Sequence, residues 1–433
     1  MKNKKLTIII VVLLIGFFLR FISGIKAPLV PDEYEGIIVV KRSFFKPIWN
    51  DPLIGGHPPL HFYILRLSAS ILSNSKISYR FPQIIFGTIT IFIIYKLSLL
   101  MFKSKNIALL SMILWCINPF LIGFSRQIAH ISGLLFFATL FLYFFWKLLY
   151  TKNTKLYYLL SIIFLLGFFY KETMILVLVF CYAFLFFHKK FRRIINKDFY
   201  ISNFIIFILL LPFIIFSMKN IENGMIQNIS KLSLIPKFSF APIVLYVPIL
   251  FNLFFHPNSV SELPLNDDLF GILIIFSVFF CMRYLRKKIE IKFNFLFFCF
   301  IILFFTWFSN GAGEYWWADL SMISGIILTA FTLTEIYKES SYKTSFKNNI
   351  IKSVIFLILI VLVVLSIKFS FSDQKCYYSK VYPPKKDGIL ECQLYVTNGQ
   401  LLYGNVVKMN SEIFYKSIYY NITKYLEYPD RWK

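Results

Sequence analysis

The sequence predicts an all-α polytopic membrane protein, and three observations carry that reading. Hydrophobic side chains fill 58% of its 433 positions and aromatics 20%, with a mean hydropathy of +0.69; soluble domains rarely exceed half apolar. The apolar residues come in runs suited to a hydrocarbon core of about 30 Å. The 46 Lys and Arg residues leave a formal charge of +25, but most sit in short clusters between those runs. That pattern orients membrane helices and is not a nucleic-acid patch.

Taken in order, the expected spans are 6–24, 81–102, 107–123, 129–149, 156–170, 173–188, 199–217, 268–285, 294–309, 320–337 and 350–370. The first, Leu6 to Gly24, is longer than a signal-peptide core and has no small-x-small cleavage site after it, so it reads as a retained helix. With the N-terminus inside, alternation places Lys2, Lys4, Lys5, Lys103, Lys105, Lys147, Lys152, Lys155, Lys189, Lys190, Arg192 and Arg193 on the cytoplasmic side. Arg283, Arg286, Lys287, Lys288, Lys338, Lys343 and Lys347 join them there, as the positive-inside rule requires. Of the 21 acidic residues, all but Asp198, Glu290, Glu335 and Glu339 then face outward. Acids contribute little to orientation, so this separation is independent information.

Two stretches resist a spanning assignment. His57 to Leu72 opens with Pro-Pro, a helix-start signal, but is short for a crossing and is expected to lie along the membrane surface. Ala241 to Phe255 is interrupted by Pro242 and Pro248 and reads as a partly embedded segment of a long outer loop, 218–267. The chain thus divides into a membrane domain, 1–370, and a small extracytoplasmic α/β tail, 371–433. Within the tail, Gln393 to Tyr403 reads as a hairpin turning at Asn398-Gly399. Cys116, Cys181, Cys281 and Cys299 lie in apolar runs as small hydrophobes. Cys376 and Cys392 stand in the tail, where a disulfide requires an oxidising side of the membrane.

The first outer loop, 25–80, gathers Asp32, Glu33, Glu35, Asp51, His57, His61 and Arg80. A solvated loop explains such charge in general, but Pro31 holds Asp32 and Glu33 just past a helix end, near the headgroups. That placement suits a base or a metal ligand acting on a lipid-linked substrate. Lys171-Glu172 splits the apolar stretch from Leu156 to Phe187. As two spans, each half is short, which puts the turn below the outer surface in a crevice. A mutually neutralised turn is the plain alternative. Arg126, in GFSRQIAH, lies at the same level as Arg80; singly each would snorkel to phosphate headgroups, and with Lys171 they form a phosphate clamp. His130 reads as a helix-end histidine. No Gly-rich phosphate loop, CxxC pair, HExxH or nucleophile elbow occurs, and the short basic inner loops argue against a nucleotide-dependent cytoplasmic activity.

The order PDE, GGHPPLHFYIL, SYRFPQIIFGTITIFIIYKL, NPFLIGFSRQIAHISGLLFFATLFLYFF and LLGFFYKETMILVLV resembles the GT-C superfamily of membrane glycosyltransferases. The likeness is to the branch of protein O-mannosyltransferases and the lipid A aminoarabinose transferase. It covers about residues 6–190, beyond which GEYWWADLSMISGIILTA looks like a diverged form of an Arg-Tyr segment, with Tyr315 as a substrate contact. The resemblance implies a GT-C-like fold and transfer from a polyprenyl-phosphate sugar to an acceptor outside the cytoplasm. It implies Asp32 as catalytic residue with Glu33 beside it, and His57, Arg126 and Lys171 facing phosphate. Glu35 and Glu314 depart from the family pattern. YWWAD superficially resembles the WWDYG of oligosaccharyltransferases but lacks that motif's sequence and outer domain, so that branch is set aside.

The expected activity is inverting transfer of a hexosyl or pentosyl group to a hydroxyl on a lipid, glycan or protein. Asp32 acts as base, and His57, Arg80, Arg126, Lys171, Glu172 and Tyr315 serve as substrate contacts. No cofactor is required by this chemistry, though Asp32 and Glu33 are the pair that would hold a divalent cation. The partners are the lipid-linked donor, the acceptor and the bilayer, with no nucleic acid. The expected site is the cell membrane, N-terminus inside and C-terminus outside. The rival reading is a transporter or flippase of a lipid-linked sugar, which predicts ionisable residues near the bilayer midplane.

Overall fold

In a computed structural model of the protein, the described residues are 2–27, 31–42, 58–151, 153–222, 291–308 and 320–341. Scattered helical positions within 273–281 and 353–367 and the strands 389–392 and 407–410 complete them. Helices α1 (Lys2–Lys26), α2 (Pro31–Arg42), α3 (Leu60–Leu72), α4 (Lys76–Phe102), α5 (Lys105–Ile117), α6 (Pro119–Ser125) and α7 (Ile131–Tyr150) follow in order. They are succeeded by α8 (Lys155–Tyr170), α9 (Met174–Phe187), a 3-10 turn (Lys189–Ile194), α10 (Lys197–Glu222), α11 (Ile291–Phe308) and α12 (Ser321–Ser341). The expected spans 156–170 and 173–188 coincide with α8 and α9 to within two residues. Among the described residues, α1, α4 and α7 are each long and apolar enough to cross a membrane, as is the bent pair α5 and α6 taken together. The shorter apolar helices are α3, α8 and α9.

Helix α4 is the hub, packing on α1, α3, α5 and α7, and Ile91, Ile94, Met112, Ala138 and Phe164 at the centre are fully buried. Its start differs from the expected span because Ser75 accepts a hydrogen bond from the Ser78 N–H as N-cap, which begins the helix a turn and more before Arg80. Pro82 then lacks the N–H that the Ser78 carbonyl would have received. That carbonyl accepts instead from Ser68 Oγ at 2.6 Å, which ties α3 to α4.

The expected single span 107–123 is two helices bent by 58°. Asn118 ends α5 in extended backbone and caps α6, accepting the Leu121 N–H on Oδ1 at 3.0 Å, with Pro119 at the first helical position. Asn-Pro is a break signal, and a continuous apolar run concealed it.

Helix α8 closes with the Lys171 N–H on the Gly167 carbonyl at 2.8 Å, and the chain turns at once into α9 through Met174 N–H to the Lys171 carbonyl at 3.1 Å. At the other end of the bundle, Arg193 donates to the Leu149 carbonyl at 3.2 Å and Tyr157 to the Ile194 carbonyl at 2.8 Å. The basic cluster at 189–193 therefore lies at the end opposite Lys171. A cavity of ≈ 30 Å³ near that end, lined in part by Tyr157, Leu178, Tyr182 and Asn203, has room for about one water and is remote from the acidic loop.

Helix α3 begins directly after Pro58-Pro59 as expected. It buries His61, Leu65, Arg66 and Ser68 against the bundle and turns Tyr63, Leu67 and Ile71, spaced four apart, outward. In the tail, Ile389–Cys392 pairs antiparallel with Val407–Asn410, Cys392 opposite Val407. The pairing encloses 393–406, where the hairpin was expected; those residues, the outer loop 223–267 with Ala241 to Phe255, and Cys376 lie outside the described residues.

Candidate active site

Glu33 and Arg80 form a bidentate ion pair, with side chains 2% and 0% exposed. Arg80 Nε donates to Glu33 Oε1 at 2.9 Å and Nη2 to Oε2 at 2.6 Å. Its Nη1 donates to the carbonyls of Gly24 at 2.7 Å and Ala27 at 2.6 Å. Glu33 Oε1 also accepts the backbone N–H of Ile128 at 2.7 Å. Lys76 Nζ adds bonds to the carbonyls of Ile25 at 2.7 Å and Ala27 at 2.9 Å. The last carbonyls of a helix have no intrahelical donors and carry partial negative charge, so two cations of α4 complete the end of α1. Four parts of the chain meet here: the end of α1, the start of α2, the first turns of α4 and the turn at 126–130.

Asp32 occupies the second position of α2, one residue from this anchor. Arg126 is half-buried and begins the turn whose Ile128 N–H reaches Glu33. Lys171 is buried and pairs with Glu172 at 2.8 Å, the neutralised turn anticipated above, and it stands at the same end of the bundle. The structure thus brings Asp32, Glu33, Arg80, Arg126, Lys171 and Glu172 to one end. His57 and Tyr315 lie outside the described residues.

Arg80 is occupied by Glu33 and the end of α1, so it meets the site as a strut and not in the open manner of a headgroup cation. The same bonds bear on the proposed metal pair. Both Glu33 oxygens already serve a guanidinium, and Oε1 a backbone N–H as well, so a divalent cation at Glu33 would sit against Arg80. Glu33 does not fit as a ligand in this arrangement. Among the described residues, no group of three or more His, Cys, Asp or Glu side chains is placed to hold a metal ion.

Sequence reasoning passed over a second buried layer. Tyr170 Oη lies 3.0 Å from His61 Nδ1 and accepts from Gln83 Nε2 at 2.6 Å, joining α3, α4 and α8, while the His130 ring stands edge-on to His61 at 6.0 Å. Gly133 admits the Tyr170 ring, since a Cβ there would fall 2.2 Å from its Cε1. The signal was faint: Tyr170 and Gln83 are polar atoms at the ends of apolar runs. Arg20 was passed over too, although a charge inside a span is a strong signal.

Residues 56–216 match the family described as dolichyl-phosphate-mannose-protein mannosyltransferase. An uncharacterized protein of Aquifex aeolicus (strain VF5) is 24% identical over 317 residues, covering 70% of this chain and 59% of that protein. Among solved structures, the oligosaccharyltransferase AglB from Archaeoglobus fulgidus in complex with an inhibitory peptide and a dolichol-phosphate matches with a TM-score of 0.59 at 14% identity. That match covers 88% of this chain and 57% of the other. ArnT from Cupriavidus metallidurans in the apo state matches with a TM-score of 0.57 at 10% identity, over 85% of this chain and 71% of that one. The chain spans less than two thirds of the length of the Aquifex and Archaeoglobus proteins. At these identities the structural likeness is one of fold, and it extends to the oligosaccharyltransferase architecture that the YWWAD stretch had set aside. The motifs in their order, the matched family region and these folds agree: the chain is a multi-pass membrane protein with the GT-C fold, resembling the glycosyltransferases of that superfamily.

Proposed function

We propose that the protein is an inverting glycosyltransferase that moves a sugar from a polyprenyl-phosphate carrier to a hydroxyl acceptor outside the cytoplasm, with Asp32 as base. One observation carries the reading. The Glu33–Arg80 pair, tied further to Ile128, fixes the start of α2 at the same end of the bundle as Arg126 and Lys171. An acceptor hydroxyl is a weak nucleophile, and a carboxylate at the reacting position removes its proton as the oxygen attacks the anomeric carbon. The leaving polyprenyl phosphate gains charge as the glycosidic bond breaks, and cations held at a water-poor bundle end stabilise it. Lys171, Arg126 and His57 take that part, with Glu172 tuning Lys171 and Tyr315 contacting substrate. Arg80 and Glu33 serve by positioning. The sugar arrives activated, so no nucleotide is needed. The matched family and the fold neighbours support lipid-phosphate chemistry: AglB is known in complex with a dolichol-phosphate and ArnT bound to undecaprenyl phosphate. We place the protein in the cell membrane, the 189–193 end toward the cytoplasm, by the positive-inside rule.

The test is to incubate purified wild type and Asp32→Asn with a panel of polyprenyl-phosphate sugars and a membrane extract as acceptor source, following donor binding and consumption. Asp32→Asn is expected to bind donor and lose transfer by about 10²- to 10⁴-fold. Unchanged turnover in the mutant would remove Asp32 from the role. Movement of the lipid-sugar across vesicles without cleavage of its glycosidic bond would favour a transporter.

A further inference from the structure

Arg20 sits inside the first apolar span and is completely buried, yet every acceptor it bonds is a neutral oxygen. Its Nε donates to Ser125 Oγ at 3.2 Å, Nη1 to the carbonyls of Gly16 at 3.0 Å and Cys116 at 3.2 Å, and Nη2 to the carbonyl of Trp115 at 3.3 Å. The choice of carbonyls has a cause. In an unbroken helix the Trp115 carbonyl would receive the N–H of residue 119, which is a proline and has none, and the 58° bend turns the Cys116 carbonyl from its own ladder. Arg20 supplies the missing donors. Space for it is provided by Gly87 on α4, where a Cβ would lie 2.2 Å from Ser125 Oγ and 3.0 Å from Arg20 Nε; Gly16, one turn before Arg20 on α1, makes room instead for Ile91, whose Cδ1 would lie 2.3 Å from a Cβ there. Ser125 carries the contact onward, donating to the Leu121 carbonyl at 2.8 Å and lying 3.2 Å from Ser132 Oγ on α7.

Ser125 is the last residue of α6, and the next residue is Arg126. We infer that Arg20 is a positioning residue: it locks the break between α5 and α6, and through Ser125 it sets the 126–130 turn that offers Arg126 to the donor phosphate and the Ile128 N–H to Glu33. The turn is then held from below by Arg20 and from the side by the Glu33–Arg80 pair. The role of Arg126 in this inference rests on the glycosyltransferase reading; the setting of the turn does not.

The experiment compares Arg20→Gln, Arg20→Lys, Ser125→Ala and the double variant Arg20→Gln/Pro119→Ala in nanodiscs. Melting temperature, hydrogen exchange over 126–130, and sugar transfer with donor KM separated from kcat are measured for each. Ser125→Ala leaves the break capped and removes the hydroxyl that accepts from Arg20, donates to the Leu121 carbonyl and meets Ser132, so transfer is expected to fall roughly two- to tenfold with a near-native melting temperature and faster exchange at 126–130. Arg20→Lys keeps the charge without the planar fork and is expected to lose about tenfold or more. In the double variant the restored N–H at 119 is expected to recover the melting temperature but not the exchange protection or the transfer. Native exchange and transfer in Ser125→Ala and Arg20→Lys would overturn the inference, as would full recovery of both in the double variant, which would make Arg20 a cap and nothing more. Absence of transfer in wild type with every donor would sink the glycosyltransferase reading alone, because exchange at 126–130 still decides whether Arg20 sets the turn.

Discussion

Replacing Glu33 with Gln keeps the shape of the side chain and withdraws its charge from a contact that water barely reaches. Among the described residues, three donors converge on the carboxylate: Arg80 Nε, Arg80 Nη2 and the Ile128 N–H. An amide offers one oxygen to them and presents its own N–H₂ to the remainder, so at least one donor faces another donor. Arg80 meanwhile retains only the neutral carbonyls of Gly24 and Ala27 among these bonds. Breaking a buried pair by removing one partner costs about 3–5 kcal/mol, or roughly two to three and a half decades in the folding equilibrium at about 1.4 kcal/mol per tenfold. Removing both charges in Glu33→Leu/Arg80→Met is expected to cost less than the two single changes together, since no lone charge is left. It stays below wild type because the end of α1 loses donors worth about 1–3 kcal/mol if left buried. The measurement is a double-mutant cycle on unfolding free energy by steric trapping in bicelles. If the single costs add to within about 0.5 kcal/mol, the two side chains are uncoupled and the account of this anchor is wrong.

Alanine at Lys171 or Arg126 is expected to lower donor affinity or turnover about ten- to a hundredfold, the worth of one charge-assisted contact; native values in both variants would refute the clamp. Tyr170→Phe leaves His61 and Gln83 without their shared partner and is expected to cost about 1–3 kcal/mol, read as a lowered melting temperature. Gly133→Ala drives a methyl into the Tyr170 ring and is expected to destabilise by about 1–3 kcal/mol, with an unchanged melting temperature counting against that packing. Cysteines introduced at Lys76 and Lys190 are expected to react with a membrane-impermeant reagent from opposite sides, Lys76→Cys from outside; labelling of both from one side would break the proposed orientation.

Helix positions were legible where apolar runs ended at charged or turn-forming residues, as at Lys171-Glu172, because burial in lipid demands long apolar segments whatever their partners. That Asp32, Glu33 and Glu172 share one end of the bundle followed from the alternation of those runs, while most of the other acidic residues lie outside the described residues. Pairings were not legible. Glu33 and Arg80 are 47 positions apart, and nothing local distinguishes a carboxylate that will meet a guanidinium from one that will meet water or a metal. Arg80 consequently read as a phosphate contact and Glu33 as a metal ligand, while the structure joins them to each other. The break at Asn118-Pro119 had a local signal that the apolar run around it outweighed. His61 read only as one titratable residue of the first outer loop, and Gln83 and Tyr170 only as polar residues at the ends of apolar runs, since their significance arises when α3, α4 and α8 come together.

Arg20 also has a consequence for biogenesis. A nascent α1 enters the bilayer carrying this charge long before its partners exist, for Trp115 and Ser125 follow it by 95 and 105 positions. Until they are made, the guanidinium has to reach the headgroups about 9 Å along the helix at 1.5 Å per residue. There it stands with Lys26 as a positive signal opposing that of Lys2, Lys4 and Lys5 at the other end. Assembly of α5 and α6 withdraws it from the lipid surface. The first helix therefore takes its final seat only after the fourth through sixth have been synthesised, and the bundle closes on the helix that was made first.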